Sequence, residues 1–148
     1  MTGLNRRGLL GAGSAMLAVA ALGSKTALAA GTPGLTTHVL DTANGKPGEG
    51  IKIEFSELEG DTYKLIKTVH TNADGRNAEP LMTPENMKTG KFQLVFYVGE
   101  YFAKLGTQLP NPPFLEKAVI QFGIADAKSH YHVPIVVAPW SYTTYRGS

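Results

Sequence analysis

Three histidines stand where imidazole chemistry is possible. Between His130 and Val137 the odd positions Tyr131, Val133, Ile135 and Val137 are all apolar. A strand there turns His130, His132 and Pro134 to the opposite face, with the two imidazoles side by side. Leu35, Thr37 and Val39 share one face of an earlier stretch, which leaves Thr36, His38 and Leu40 on the other. Imidazole titrates near neutrality, with an unperturbed pKa of ~6.5, so such residues can take up and return a proton at physiological pH. A His-x-His pair with a third His elsewhere also imitates a three-histidine zinc site, although no carboxylate lies beside the pair at ligand spacing. His70 alternates with Lys64, Ile66 and Thr68 and reads as a surface residue. Arg76 follows Asn72-Ala73-Asp74-Gly75, just past a tight turn from which a long cation can be aimed across the surface. Tyr145-Arg146-Gly147-Ser148 ends the sequence with no trailing polar tail, which opens a functional reading of these four residues. Other hydrolytic designs are missing from the sequence: it has no Gly-x-Ser-x-Gly elbow, no Gly-rich phosphate loop, no His-Glu-x-x-His and no cysteine.

The elements that would position these residues are mainly strands. Ile51, Ile53 and Phe55 alternate with Lys52, Glu54 and Ser56. Phe92, Leu94, Phe96 and Val98 form one apolar face, and Ala118, Ile120, Phe122 and Ile124 form another. Asn44-Gly45 and Asp74-Gly75 are turn dipeptides expected between paired strands. Roughly eight short strands in one domain predict an all-β sandwich. Residues 99–106 break the pattern, because Tyr101, Phe102 and Leu105 suit a short helix closed by Gly106. Pro134 and Val136 accompany the histidines on their face, a mixture that points to partial cover by another subunit.

The N-terminus reads differently. Arg6 and Arg7 precede a mildly apolar run from Leu9 to Leu22, and Ala27-Leu28-Ala29 has the small-x-small form of a signal-peptidase site. Residues 1–29 are therefore expected to be a signal peptide of twin-arginine type, with one domain at 30–148 and a periplasmic destination. The run is too short and too rich in Gly and Ala for a stable membrane anchor. Arg6, Arg7 and Lys25 supply three of the 14 basic residues, so the remainder holds eleven against 12 acidic ones. With no basic run left, a nucleic-acid footprint is not expected. Lacking cysteine, the domain must be held by packing and assembly rather than by disulfides.

Three separated blocks resemble the 5-hydroxyisourate hydrolases, also called transthyretin-related proteins. They are Leu35-Thr36-Thr37-His38-Val39-Leu40-Asp41, then Thr71-Asn72-Ala73-Asp74-Gly75-Arg76, then His130-Tyr131-His132-Val133-Pro134 with Ser141-Tyr142-Thr143-Thr144-Tyr145-Arg146-Gly147-Ser148. The terminal Tyr-Arg-Gly-Ser separates the hydrolases from the hormone-carrying transthyretins. The resemblance implies a transthyretin-like sandwich of two four-stranded sheets with one short helix, assembled as a homotetramer. It implies hydrolytic ring opening of 5-hydroxyisourate to 2-oxo-4-hydroxy-4-carboxy-5-ureidoimidazoline in urate degradation, with no cofactor and no metal. His38, Arg76 and His132 would then be catalytic. The resemblance also implies that His38, Arg76, Tyr145, Arg146, Gly147 and Ser148 bind substrate. A transthyretin-like carrier of a small ligand, and more remotely a zinc hydrolase, are the alternatives.

Overall fold

The computed structural model describes residues 31–148, so the expected signal peptide lies outside the described residues. Ten strands and one helix follow in chain order. They are β1 (Gly34–Thr36), β2 (Val39–Asp41), β3 (Lys46–Pro47), β4 (Lys52–Glu59), β5 (Thr62–His70), β6 (Gly90–Phe96), α1 (Val98–Lys104), β7 (Ala118–Ile124), β8 (His130–His132), β9 (Ile135–Ala138) and β10 (Ser141–Thr144). One sheet is antiparallel throughout, in the order β5-β4-β6-β7; the other runs β10-β9-β2-β3, with β2 and β9 parallel. A short parallel pair, β1 with β8, stands beside the second sheet. The sandwich of two four-stranded sheets is thus present, with one helix.

Alternation explains which faces are buried. Ile53 and Phe55 from β4, Phe92, Leu94 and Phe96 from β6, and Ala118, Ile120 and Ile124 from β7 meet Leu35, Val39, Ile135 and Val137 from the opposing strands in one core. Phe55 and Phe92 stack with their ring centroids 5.7 Å apart. Each fully buried aromatic of this kind contributes about 1.5–3 kcal/mol by removal of apolar area from water.

Two expected strands are interrupted. The stretch from His130 to Val137 breaks after His132, because Pro134 has no N–H to donate to the ladder. The first stretch breaks opposite it, at Thr37 and His38. Thr37 Oγ1 donates to the Val133 carbonyl at 2.7 Å, and Ile135 N donates to the His38 carbonyl at 2.8 Å. Hydrogen bonding therefore continues across the gap, and the expected inward and outward faces survive it.

Helix α1 begins at Val98, so Val98 leaves the β6 face it had been expected to share. Its end matches the expected glycine cap: Gly106 has φ +76°, with Gly106 N donating to Ala103 O at 3.0 Å and Thr107 N to Phe102 O at 3.1 Å. This is the paired Schellman arrangement. The helix is tied to β2 by Tyr101, whose buried hydroxyl donates to the Asp41 carboxylate at 2.9 Å. Asn44-Gly45 closes the β2–β3 hairpin as expected. Asp74-Gly75, by contrast, lies in the long connection between β5 and β6 and does not join paired strands. It forms a local turn that serves the site.

Candidate active site

His38 and His132 are half-buried on the outward side of the broken strands. The parallel register sets Thr36 opposite His132, and Thr36 Oγ1 lies 2.8 Å from His132 Nδ1. His38 Nε2 lies 2.9 Å from the Asp74 carbonyl oxygen. A carbonyl only accepts, so Nε2 carries the hydrogen and Nδ1 holds the lone pair of the neutral ring.

Arg76 reaches the same place through the turn before it. The Asn72 side-chain oxygen accepts from Asp74 N at 3.0 Å and from Arg76 N at 3.1 Å, while Asn72 N donates to Arg76 O at 2.7 Å. Val39 N donates to Gly75 O at 2.8 Å, which pairs His38 with Arg76 backbone to backbone. Only glycine fits at 75. Its φ is +72°, and a Cβ there would stand 2.4 Å from the Val39 carbonyl oxygen.

The C-terminal residues arrive from the other side. Gly147 and His132 exchange both backbone hydrogen bonds, at 2.7 and 3.2 Å. A Cβ on Gly147 would lie 3.1 Å from His132 Cβ and Cδ2, so the bare backbone packs on the imidazole. Arg146 directs its guanidinium onto the Tyr131 ring, 4.8 Å from the centroid. Tyr145 and Ser148 are exposed. Of the residues expected from sequence, the single chain gathers His38, Arg76, His132 and Gly147, while Tyr145, Arg146 and Ser148 are exposed on either side of Gly147 in sequence. His70 is exposed on β5, apart from this cluster.

Electrostatics join the three charged or titratable groups. The His38 pKa is lowered first by burial and then by the Arg76 cation. The His132 pKa is lowered by burial, then by Arg76, then by His38. Burial first, and one guanidinium acting on both rings second, favour the neutral imidazoles, which can accept a proton. A fixed cation beside two neutral imidazoles can stabilise a developing oxyanion while an imidazole deprotonates water. Among the described residues no group of three or more His, Cys, Asp or Glu is arranged to hold a metal ion.

Sequence reasoning gave no task to Thr36, although its outward position beside His38 was already visible in the alternation. Its contact with His132 spans 96 positions and depends on the β1–β8 register.

Residues 35–147 match the HIUase/Transthyretin family. The chain is 57% identical to 5-hydroxyisourate hydrolase 2 of Rhizobium meliloti over 114 residues, covering 77% of this chain and 95% of that protein. The solved Klebsiella pneumoniae 5-hydroxyisourate hydrolase superposes with a TM-score of 0.63 at 34% identity, over 77% of this chain and 98% of that one. An (S)-allantoin synthase structure gives a TM-score of 0.73 at 42% identity over 79% of this chain, which spans only 44% of that longer protein. The family match takes in His38, His132, the Arg76 turn and Gly147, and on it and the 57% identity the chain belongs to the HIUase/Transthyretin family.

Proposed function

We propose that this protein is a 5-hydroxyisourate hydrolase, opening the six-membered ring of 5-hydroxyisourate to give 2-oxo-4-hydroxy-4-carboxy-5-ureidoimidazoline in urate degradation. The observation that carries the reading is the convergence of His38, Arg76 and His132 in a chain 57% identical to a hydrolase of that name. An imidazole removes a proton from water, and the resulting hydroxide adds to the ring carbonyl carbon. Arg76, permanently cationic, holds the oxyanion. The acyl C–N bond then breaks, and the departing nitrogen receives the proton that the imidazole took from water. Gly147 seats the His132 ring, while Tyr145, Arg146 and Ser148 form the wall against which the planar substrate rests.

The functional unit in this proposal is a homotetramer that covers the histidine-bearing face. Supporting it, β10 and β7 each pair with a single neighbour at the end of a sheet. Leu40, Val119, Tyr142 and Trp140 are exposed large side chains on this single chain, where a partner would shield apolar area. Light scattering of the purified domain measures the subunit number, and a monomer at micromolar concentration contradicts the tetramer. Residues 1–29 are proposed as a twin-arginine signal that delivers the domain to the periplasm. Replacing Arg6 and Arg7 by Lys should retain the protein in the cytoplasm, and unchanged periplasmic recovery removes that export route.

Catalysis is tested by generating 5-hydroxyisourate in place from urate with urate oxidase and following its absorbance. The domain should accelerate the decay in proportion to its concentration and without added metal. Binding of the compound with no change in its decay would identify a carrier instead.

A further inference from the structure

His130 is the histidine to which the reaction above assigns nothing, yet it is half-buried and both of its ring nitrogens are engaged. Nδ1 lies 3.1 Å from the Thr32 carbonyl oxygen, and Nε2 lies 3.3 Å from Thr36 Oγ1. The same hydroxyl lies 2.8 Å from His132 Nδ1. The parallel β1–β8 register explains the geometry, since it sets Thr36 opposite His132 and brings one hydroxyl within reach of two outward imidazoles on the neighbouring strand.

Hydrogen-bond chemistry gives this chain of groups a single direction. The Thr32 carbonyl has no hydrogen, so His130 Nδ1–H must donate to it. A neutral His130 then has only a lone pair on Nε2, and the Thr36 hydroxyl donates to that. Having spent its one hydrogen, Thr36 Oγ1 can only accept from His132 Nδ1–H. The lone pair of neutral His132 is left on Nε2. Running the chain backwards would require His130 to be doubly protonated, placing a second cation beside His132, which already feels the Arg76 charge.

We propose that His130 and Thr36 are positioning residues that hold His132 in its Nδ1–H tautomer and thereby make His132 Nε2 a proton acceptor. The inference rests on the hydrolase reading and deepens it by naming the accepting nitrogen. When Nε2 takes a proton from water, Nδ1–H keeps its bond to Thr36, so the imidazolium forms with no rearrangement behind it. The proton later returns from Nε2 to the departing ring nitrogen, which restores the starting state. The groups facing His132 are His130 on its own strand, Thr36 from β1, His38 after it, Arg76 from the 72–76 turn and the Gly147 backbone. Of these, only Thr36 accepts from Nδ1. An acceptor held at Nδ1 favours the protonated ring, because a charged donor bonds more strongly than a neutral one; the Thr36 backbone likewise raises the His132 pKa, against burial and the Arg76 charge.

The test is nitrogen NMR of the histidine-labelled domain, with Thr36→Val and Thr36→Ser beside the unaltered chain. In the unaltered protein His132 should show a pyrrole-type Nδ1 and a pyridine-type Nε2. Thr36→Val removes the acceptor while keeping the shape. It should release the tautomer to a mixture, lower kcat about tenfold or more with little change in KM, and move the acidic limb of kcat/KM to lower pH. Thr36→Ser should restore all three. A pyridine-type Nδ1 in the unaltered protein overturns the proposal, and so does a Thr36→Val protein with unchanged tautomer and kcat. Absence of hydrolysis by the unaltered protein would instead sink the hydrolase reading, and the nitrogen spectrum would still decide the tautomer.

Discussion

Replacing Gly75 by Ala probes the turn that seats Arg76. At φ +72° an L-residue is strained by about 1–2 kcal/mol. The added Cβ would stand 2.4 Å from Val39 O and 3.1 Å from Gly48 N, between the partners of a 2.9 Å hydrogen bond. Forcing that bond open costs a further ~1 kcal/mol. The sum is about 2–3 kcal/mol, which for a domain of this size lowers Tm by roughly 6–15 °C. Relief requires the turn to move away from Val39, and Arg76 moves with it. A displacement of ~1 Å at a group that positions charge can lower turnover about 10²-fold. Gly45→Ala is the matched control, because Gly45 has φ +64° but open space around its Cβ. That variant should show the backbone strain alone and keep its activity. Thermal and urea unfolding, with 5-hydroxyisourate decay measured on the same samples, read both quantities. If Gly75→Ala matched Gly45→Ala in stability and turnover, the close-approach argument would be refuted.

Arg76→Ala should leave the fold intact, since residue 76 is exposed, and should lower kcat about 10²- to 10³-fold, as expected for loss of one oxyanion donor. Unchanged turnover would remove Arg76 from the chemistry. Both His38 and His132 have pKa values held below 6.5 in the folded chain, so the unfolded chain takes up protons first as pH falls. Their contribution to stability is full above ~6.5, declines as pH drops from there through the folded-state values, and is constant below them. Urea midpoints between mildly acidic and neutral pH measure this, and removing both histidines should flatten the dependence. Tyr101→Phe deletes a hydrogen bond to the buried Asp41 carboxylate and should destabilise the domain by about 1.5–3 kcal/mol while kcat is preserved. A loss of activity without loss of stability would contradict that separation.

Much of this architecture was legible in the sequence because burial follows simple periodicity. The alternations in β4, β6 and β7, and the outward placement of His38, His130 and His132, needed only a period of two. Gly106 ended the helix for a local reason, its positive φ. Long-range partners were not legible. The role of Gly75 depends on the backbone of Val39, and the contact of Thr36 with His132 depends on a parallel register between strands 96 positions apart. Pro134 announced a weak ladder, but the matching break at Thr37 and His38 follows from the strand it pairs with. Gly147 likewise carries no local sign that its backbone packs on an imidazole.

The central claim is that two imidazoles on separate strands act on one substrate, and the most direct measurement is the initial rate of 5-hydroxyisourate loss catalysed by His38→Ala and by His132→Ala. Each variant should fold as the unaltered domain does and lose about 10²-fold or more in kcat. Wild-type turnover by either folded variant would contradict the account.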